Sequence, residues 1–167
     1  MIHCATIGSL IGRPGSDEVI DHGMRYLWEK HRDARHGGYV WSLDDDGHAD
    51  STKQAYGHAF VLLAGSSAKL AGHPLADQVI ADVTEVIEKR FWDDKVGAVR
   101  DEFGDDWRQI STYRGQNSNM HLTEALMAAF EATGNKRYLD KAKRIADLII
   151  NRNAVKLGHR VAEILAP

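Results

Sequence analysis

Ala71-Gly72-His73-Pro74-Leu75 decides the fold of this chain once it is set beside Ile11-Gly12-Arg13-Pro14-Gly15 and Thr133-Gly134-Asn135-Lys136-Arg137. Each central glycine follows one apolar helical pattern and precedes another, and the three stand 60 and 62 residues apart. Glycine suits the left-handed end of a helix, and a proline two residues later cannot continue the first helix but can open the next. Recurrence at a fixed interval marks a repeated supersecondary unit. Each unit therefore reads as a helical hairpin.

The flanking periodicity agrees. Leu122, Ala125, Leu126, Ala129 and Phe130 form one stripe, Leu75, Val79, Val83, Ile87 and Phe91 a second, and Leu139, Ala142, Ile145, Ala146 and Ile149 a third. All three have the spacing of one apolar helix face. Between the hairpins lie His36-Gly-Gly-Tyr-Val-Trp-Ser-Leu43, with an acidic turn ending at Gly47, and Val96-Gly-Ala-Val-Arg-Asp-Glu-Phe103 before Gly104; both read as short β-hairpin excursions. The fold class is all-α. Repeated antiparallel helix pairs stack into a curved double layer that either closes into an α/α barrel or stays open as a solenoid.

Composition narrows the function. A chain of 167 residues, 43% hydrophobic and 27% charged, is long enough for one globular core. A net charge of -3 with interspersed signs leaves no broad basic surface, so nucleic acid is not an expected partner. Cys4 is the single cysteine, which excludes an internal disulfide or a cysteine zinc cage and fits a reducing cytoplasm, the expected location. The apolar run 7–11 lacks a basic leader and is broken by Gly8, so it is read as neither signal peptide nor membrane span.

The chemistry concentrates in Tyr113-Arg-Gly-Gln-Asn-Ser-Asn-Met-His121-Leu-Thr-Glu124, where hydrogen-bonding side chains crowd the start of an apolar helix. Asn117 and His121, four apart, share a helix face, while Ser118 or Asn119 is placed to cap free N–H groups. Counting back from the hairpin glycines, Tyr56 lies 16 residues before Gly72 and Asn117 lies 17 before Gly134; His58 and His121 lie 14 and 13 before. Equivalent helices thus carry polar, uncharged groups at the same end. The same count from Gly12 runs off the start of the chain, and no capping residue precedes Ile2.

This run, the block Asp50-Ser-Thr-Lys53-Gln-Ala-Tyr56-Gly-His58-Ala-Phe60 and the Glu88-Lys-Arg-Phe-Trp92 segment together resemble the N-acylglucosamine 2-epimerase family, nearest its mannose and sulfoquinovose aldose-ketose isomerases. The resemblance runs without gaps over roughly residues 1 to 152 and fades after Asn151; Arg160-Val-Ala-Glu163 reads as a last echo before Ile164-Leu-Ala-Pro167. It implies a partial α/α barrel, about three helical hairpins of a six-hairpin toroid, in one incomplete domain spanning 1–167. It also implies aldose-ketose isomerisation or 2-epimerisation of a mannose-like monosaccharide through an enediol. Tyr56, Asn117 and His121 match the family's substrate-binding positions. Arg114 stands in the same block, where a buried guanidinium either stabilises an oxyanion or ties its loop to a carboxylate. The family's two proton-moving histidines fall beyond the last matched residue, and a substrate-binding arginine falls just before Met1. No catalytic residue is therefore expected in this chain, which resembles an internal piece of a protein more than twice as long and is doubtful as an independent enzyme. Exposed barrel edges suggest a homo-oligomer.

Simpler readings stand beside these. Tyr56 alone is equally a core tyrosine stacked on Phe60, and His121 alone a helix-start histidine. No cofactor and no metal are expected. A phosphate loop or dinucleotide fingerprint is missing, His121 and Glu124 lack the second Glu-x-x-His pair of a di-iron site, and Asp44-Asp45-Asp46-Gly47 matches no full calcium loop. His3, His22, His31, His36, His48, His73 and His159 are read as surface or loop residues, and Trp41 is the aromatic best placed to line a pocket among Trp28, Trp41, Trp92 and Trp107. Two rival functions remain. An α/α-barrel glycoside hydrolase or lyase would need a carboxylate pair, for which Asp50 and Glu124 are the candidates. A non-catalytic helical-repeat module binding a protein would carry apolar or charged groups where Tyr56, Asn117 and His121 stand.

Overall fold

The computed structural model describes residues 1–47, 49–161 and 163; His48 and the segment 164–167 lie outside them. Three helical hairpins follow one another: α1 (Ile2–Leu10) with α2 (Ser16–Tyr26), α3 (Ala55–Leu70) with α4 (Ala76–Val86), and α5 (Gln116–Thr133) with α6 (Lys136–Ala146). Helices α1, α3 and α5 lie side by side as one layer, each backed by its hairpin partner in the other. This is the partial α/α barrel expected from the repeat. Gly12, Gly72 and Gly134 all take the left-handed conformation, with φ of 77°, 75° and 71°.

Burial explains the two layers. Helix α3 has neighbours on several sides and buries Ala55, His58, Ala59, Leu62, Leu63 and Ser66 to Ala68, so it is barely amphipathic. Outer helix α6 is sharply two-faced: Tyr138, Ala142 and Ile145 point inward while Lys143 and Arg144 stay in solvent. Leu62, Val79, Val83, Leu122, Leu126 and Ile145 are at most 2% exposed and form the shared core, each contributing on the order of 1.5–3 kcal/mol by burial.

Each outer helix ends the same way. Leu27–His31, Ile87–Phe91 and Asp147–Ala154 widen into π-helical turns, beginning 60 residues apart. In the first, the Arg32 N–H reaches back to the Leu27 carbonyl; in the second, the Trp92 N–H reaches Ile87. Nothing in the apolar spacing announces this extra residue per turn.

The excursions differ from the sequence expectation in one respect. Strands β1 (Ser42–Leu43) and β2 (Ala49–Asp50) pair as a local antiparallel hairpin, as do β4 (Trp92–Asp93) and β5 (Ala98–Val99). However, β6 (Glu102–Phe103) pairs with β3 (Lys53–Gln54), in register Lys53 with Phe103 and Gln54 with Glu102. The end of the second excursion is thus tied to the strand that leads into α3. Trp107 completes that tie: its ring packs against Phe91, Phe103 and His58, and its indole N–H donates to the His36 carbonyl at 2.8 Å.

Candidate sugar site at the mouths of the inner helices

Two buried side chains fix the register of the repeat. The His58 ring is fully buried; its Nε2 accepts from the Tyr39 N–H at 3.1 Å, and its Nδ1 lies 2.7 Å from the Gln54 carbonyl, which makes Nδ1 the protonated nitrogen. Asn119, also fully buried, does the same with an amide: Oδ1 accepts from the Val99 N–H at 2.9 Å and Nδ2 donates to the Gly115 carbonyl at 2.8 Å. The partners are 60 or 61 residues apart throughout. His58 therefore corresponds to Asn119, and the glycine count that matched His58 with His121 is off by two positions. Burial, the dominant influence, holds the His58 pKa down to about 4, although the Gln54 carbonyl favours the proton.

A second repeated pair anchors each excursion. Lys53 is completely buried and puts its ammonium 2.7 Å from the Asp33 carboxylate; Arg114, 61 residues later, donates to Asp93 at 3.1 Å and to the Ala98 carbonyl at 3.1 Å. Burial pushes the Asp33 carboxyl up, but Lys53 and the N–H groups of His36 and Arg35 outweigh it and hold it at about 2. Asp93 is lowered in the same way, burial opposing the Val96 N–H and Arg114. Of the two roles open to Arg114, the geometry supports the loop tie, because its guanidinium is 6% exposed as a residue and already engaged. Neither acidic anchor stood out in the sequence. Their signal was the 60-residue spacing of Asp33 and Asp93, each followed by lysine or arginine about 20 residues on.

The opening of α5 is also held from outside. Its N-terminus has no side-chain cap of its own. Ser118 and Asn119, expected to cap it, are used elsewhere: Ser118 Oγ donates to Asp101 Oδ2 at 3.1 Å, and Asn119 is spent on Val99 and Gly115. Asp101 instead accepts from the Gly115 N–H at 2.9 Å, and the Gln116 N–H donates to the Glu163 carbonyl at 2.8 Å. Partial burial raises the Asp101 pKa against the pull of those same hydrogen bonds.

With the mouths so fixed, Tyr56 and His121 come together. Their rings lie 5.1 Å apart edge to face, across the α3–α5 seam. Phe60 closes the triangle at 4.9 Å from each, and Trp41 meets Tyr56 at 6.0 Å from the first excursion. Asn117, one turn before His121 on α5, is exposed, and its amide has no hydrogen-bond partner among the described residues. His121 Nδ1 faces Glu124 Oε2 at 3.3 Å, which leaves Nε2 free to meet a ligand. The arrangement offers a phenol, an amide and an imidazole beside an aromatic wall, the chemistry that hydrogen-bonds hydroxyls without a formal charge.

The remaining candidates are separate. Asp50 closes a turn, accepting from the Thr52 N–H at 3.0 Å and hydroxyl at 2.7 Å, while Glu124 is the partner of His121. Trp28 lies under Arg32 and Trp92 under Lys141 and Arg144. Among the described residues no cluster of three or more histidines, cysteines or carboxylates could hold a metal ion, and no helix is long and apolar enough to cross a membrane.

Comparison with known proteins agrees with this geometry. The sequence profile of the N-acylglucosamine 2-epimerase (GlcNAc 2-epimerase) family matches residues 1–166. The chain is 44% identical over 163 residues to a D-mannose isomerase of Pseudomonas cannabina pv. alisalensis, covering 98% of this chain and 39% of that protein. It is 43% identical over 166 residues to a D-mannose isomerase of Thermobifida fusca, covering 99% and 41%. A crystal structure of D-mannose isomerase superposes with a TM-score of 0.90 at 38% identity, over 98% of this chain and 42% of the other. The chain thus spans about two fifths of the length of the relatives it matches.

Proposed function

Because the chain belongs to the N-acylglucosamine 2-epimerase family, we propose that it forms one wall of a monosaccharide pocket in which an aldose such as D-mannose is interconverted with its ketose through an enediol. The observation that carries this reading is the meeting of Tyr56 and His121 across the α3–α5 seam, one helical turn from the unpartnered amide of Asn117. Isomerisation needs the open-chain sugar held with its carbonyl and neighbouring hydroxyl fixed while a base takes the intervening proton. Tyr56 and Asn117 bind hydroxyls, and His121, turned by Glu124, presents Nε2 to a sugar oxygen; as charge develops on the enediolate, donors already in place stabilise it without reorganising. Arg114 acts through the backbone, holding the second excursion beside the α5 mouth. The proton transfers belong, in this reading, to histidines of the family outside the stretch matched here. These residues bind and orient.

The test is a titration of the purified protein with D-mannose, followed by NMR, alongside an assay for fructose. Asn117→Ala and His121→Ala are each expected to weaken mannose binding about tenfold, the loss of one hydrogen bond to a polar ligand, with no fructose formed by the chain alone. Unchanged binding in both variants would overturn the pocket; fructose above background would overturn the division of labour.

A further inference from the structure

The register fixed by His58 and Asn119 places a residue that the polar pattern passed over. Tyr56 and Asn117, His58 and Asn119, and Phe60 and His121 are three pairs with a common 61-residue offset. The middle pair is equivalent by its hydrogen bonds, so Phe60 occupies on α3 the position that His121 occupies on α5, on the face shared with Tyr56. Phe60 is 39% exposed on a helix whose neighbouring positions Ala59, Val61 and Leu62 are buried, and Trp41 beside it is 40% exposed. Single exposed apolar residues are ordinary. Here, however, the two rings are continuous with Tyr56 and His121 and border a cleft of about 200 Å³ that also takes in Gln54 and Gly57.

A hexose presents hydroxyls around its rim and C–H groups on its faces, so a matching site needs an apolar surface set beside neutral hydrogen-bonding groups. We infer that Phe60, flanked by Trp41, is the platform on which the sugar rests a C–H face while Tyr56, Asn117 and His121 hold its hydroxyls. This rests on the monosaccharide reading above and adds a specificity-determining residue to it. Flat aromatic area, rather than apolar volume, is the requirement.

The experiment uses the unsubstituted protein with its phenylalanines isotope-labelled, and D-mannose as the probe. Nuclear Overhauser contacts from the Phe60 ring to sugar C–H protons are expected, whereas Phe91 and Phe103 are buried and show none. Phe60→Leu, which keeps apolar bulk, is expected to weaken mannose binding about tenfold, and Phe60→Trp to stay within about threefold of the unsubstituted protein. Bound mannose without a contact to the Phe60 ring, or unchanged affinity in Phe60→Leu while Asn117→Ala is impaired, overturns the platform and leaves the pocket standing. Failure of the unsubstituted protein to bind mannose overturns both.

Discussion

Replacing His58 with asparagine would give the second hairpin the side chain that performs the same task in the third. Asparagine can accept from the Tyr39 N–H and donate to the Gln54 carbonyl, as Asn119 does with Val99 and Gly115. Leucine cannot, and His58→Leu would strand two buried backbone groups at a cost of about 1–3 kcal/mol each. The imidazole also adds an acid liability. Its folded pKa of about 4 lies below the ordinary 6.5, so the unfolded chain takes up the proton first. Stability is then unaffected above the ordinary value, falls as pH drops between the two, and loses about 3 kcal/mol in total. Chemical denaturation at pH 7 and pH 4.5 should show a smaller acid loss for His58→Asn than for the unsubstituted protein. Equal losses would reject the assignment. Burial could not be read for this histidine from sequence, where a polar residue between Tyr56 and Phe60 fits a surface turn as well as a core.

At the scale of elements, the hairpins were legible because both of their signals are local. Apolar spacing and a terminal glycine lie within one or two turns of each other, and α1 to α6 fall where those signals place them. Gly134 carries this to a test: at φ 71° with open space around it, Gly134→Ala should cost about 1–2 kcal/mol from backbone strain alone. Gly38 combines φ 73° with Trp107 and His58 atoms within 3.0 Å of where a Cβ would stand, so Gly38→Ala should cost more than Gly134→Ala. Thermal melts that reverse this order would contradict the packing of Trp107 described above. What could not be read was non-local. The pairing of β6 with β3 and the outside anchoring of the α5 mouth by Asp101 depend on segments tens of residues apart. The site was half legible for a related reason: Asn117 and His121 share one helix, but matching them to α3 required the backbone bonds of His58 and Asn119 rather than a count from glycines spaced 60 and 62 apart.

The molecule as a whole is a layered array with two unlike margins. Ile7, Leu10 and Ile11 are 49%, 62% and 78% exposed on the α1 side, and Met120 and Met127 are 45% and 50% exposed on α5. Continuous apolar margins of this kind favour association, so the purified chain is expected to self-associate as concentration rises, and light scattering that shows a concentration-independent monomer would refute this. The three widened turns at 27, 87 and 147 bear on the array in another respect. Each stores one surplus residue inside a helix without lengthening it, so excising a single residue there would restore ordinary winding and leave the helix intact. Everything downstream would nevertheless be swivelled by about 100°, the angle one residue subtends, and Asp93 would swing away from Arg114. Such a deletion would preserve helicity yet uncouple the excursion from the next inner helix, which makes these turns the indexing teeth of the array.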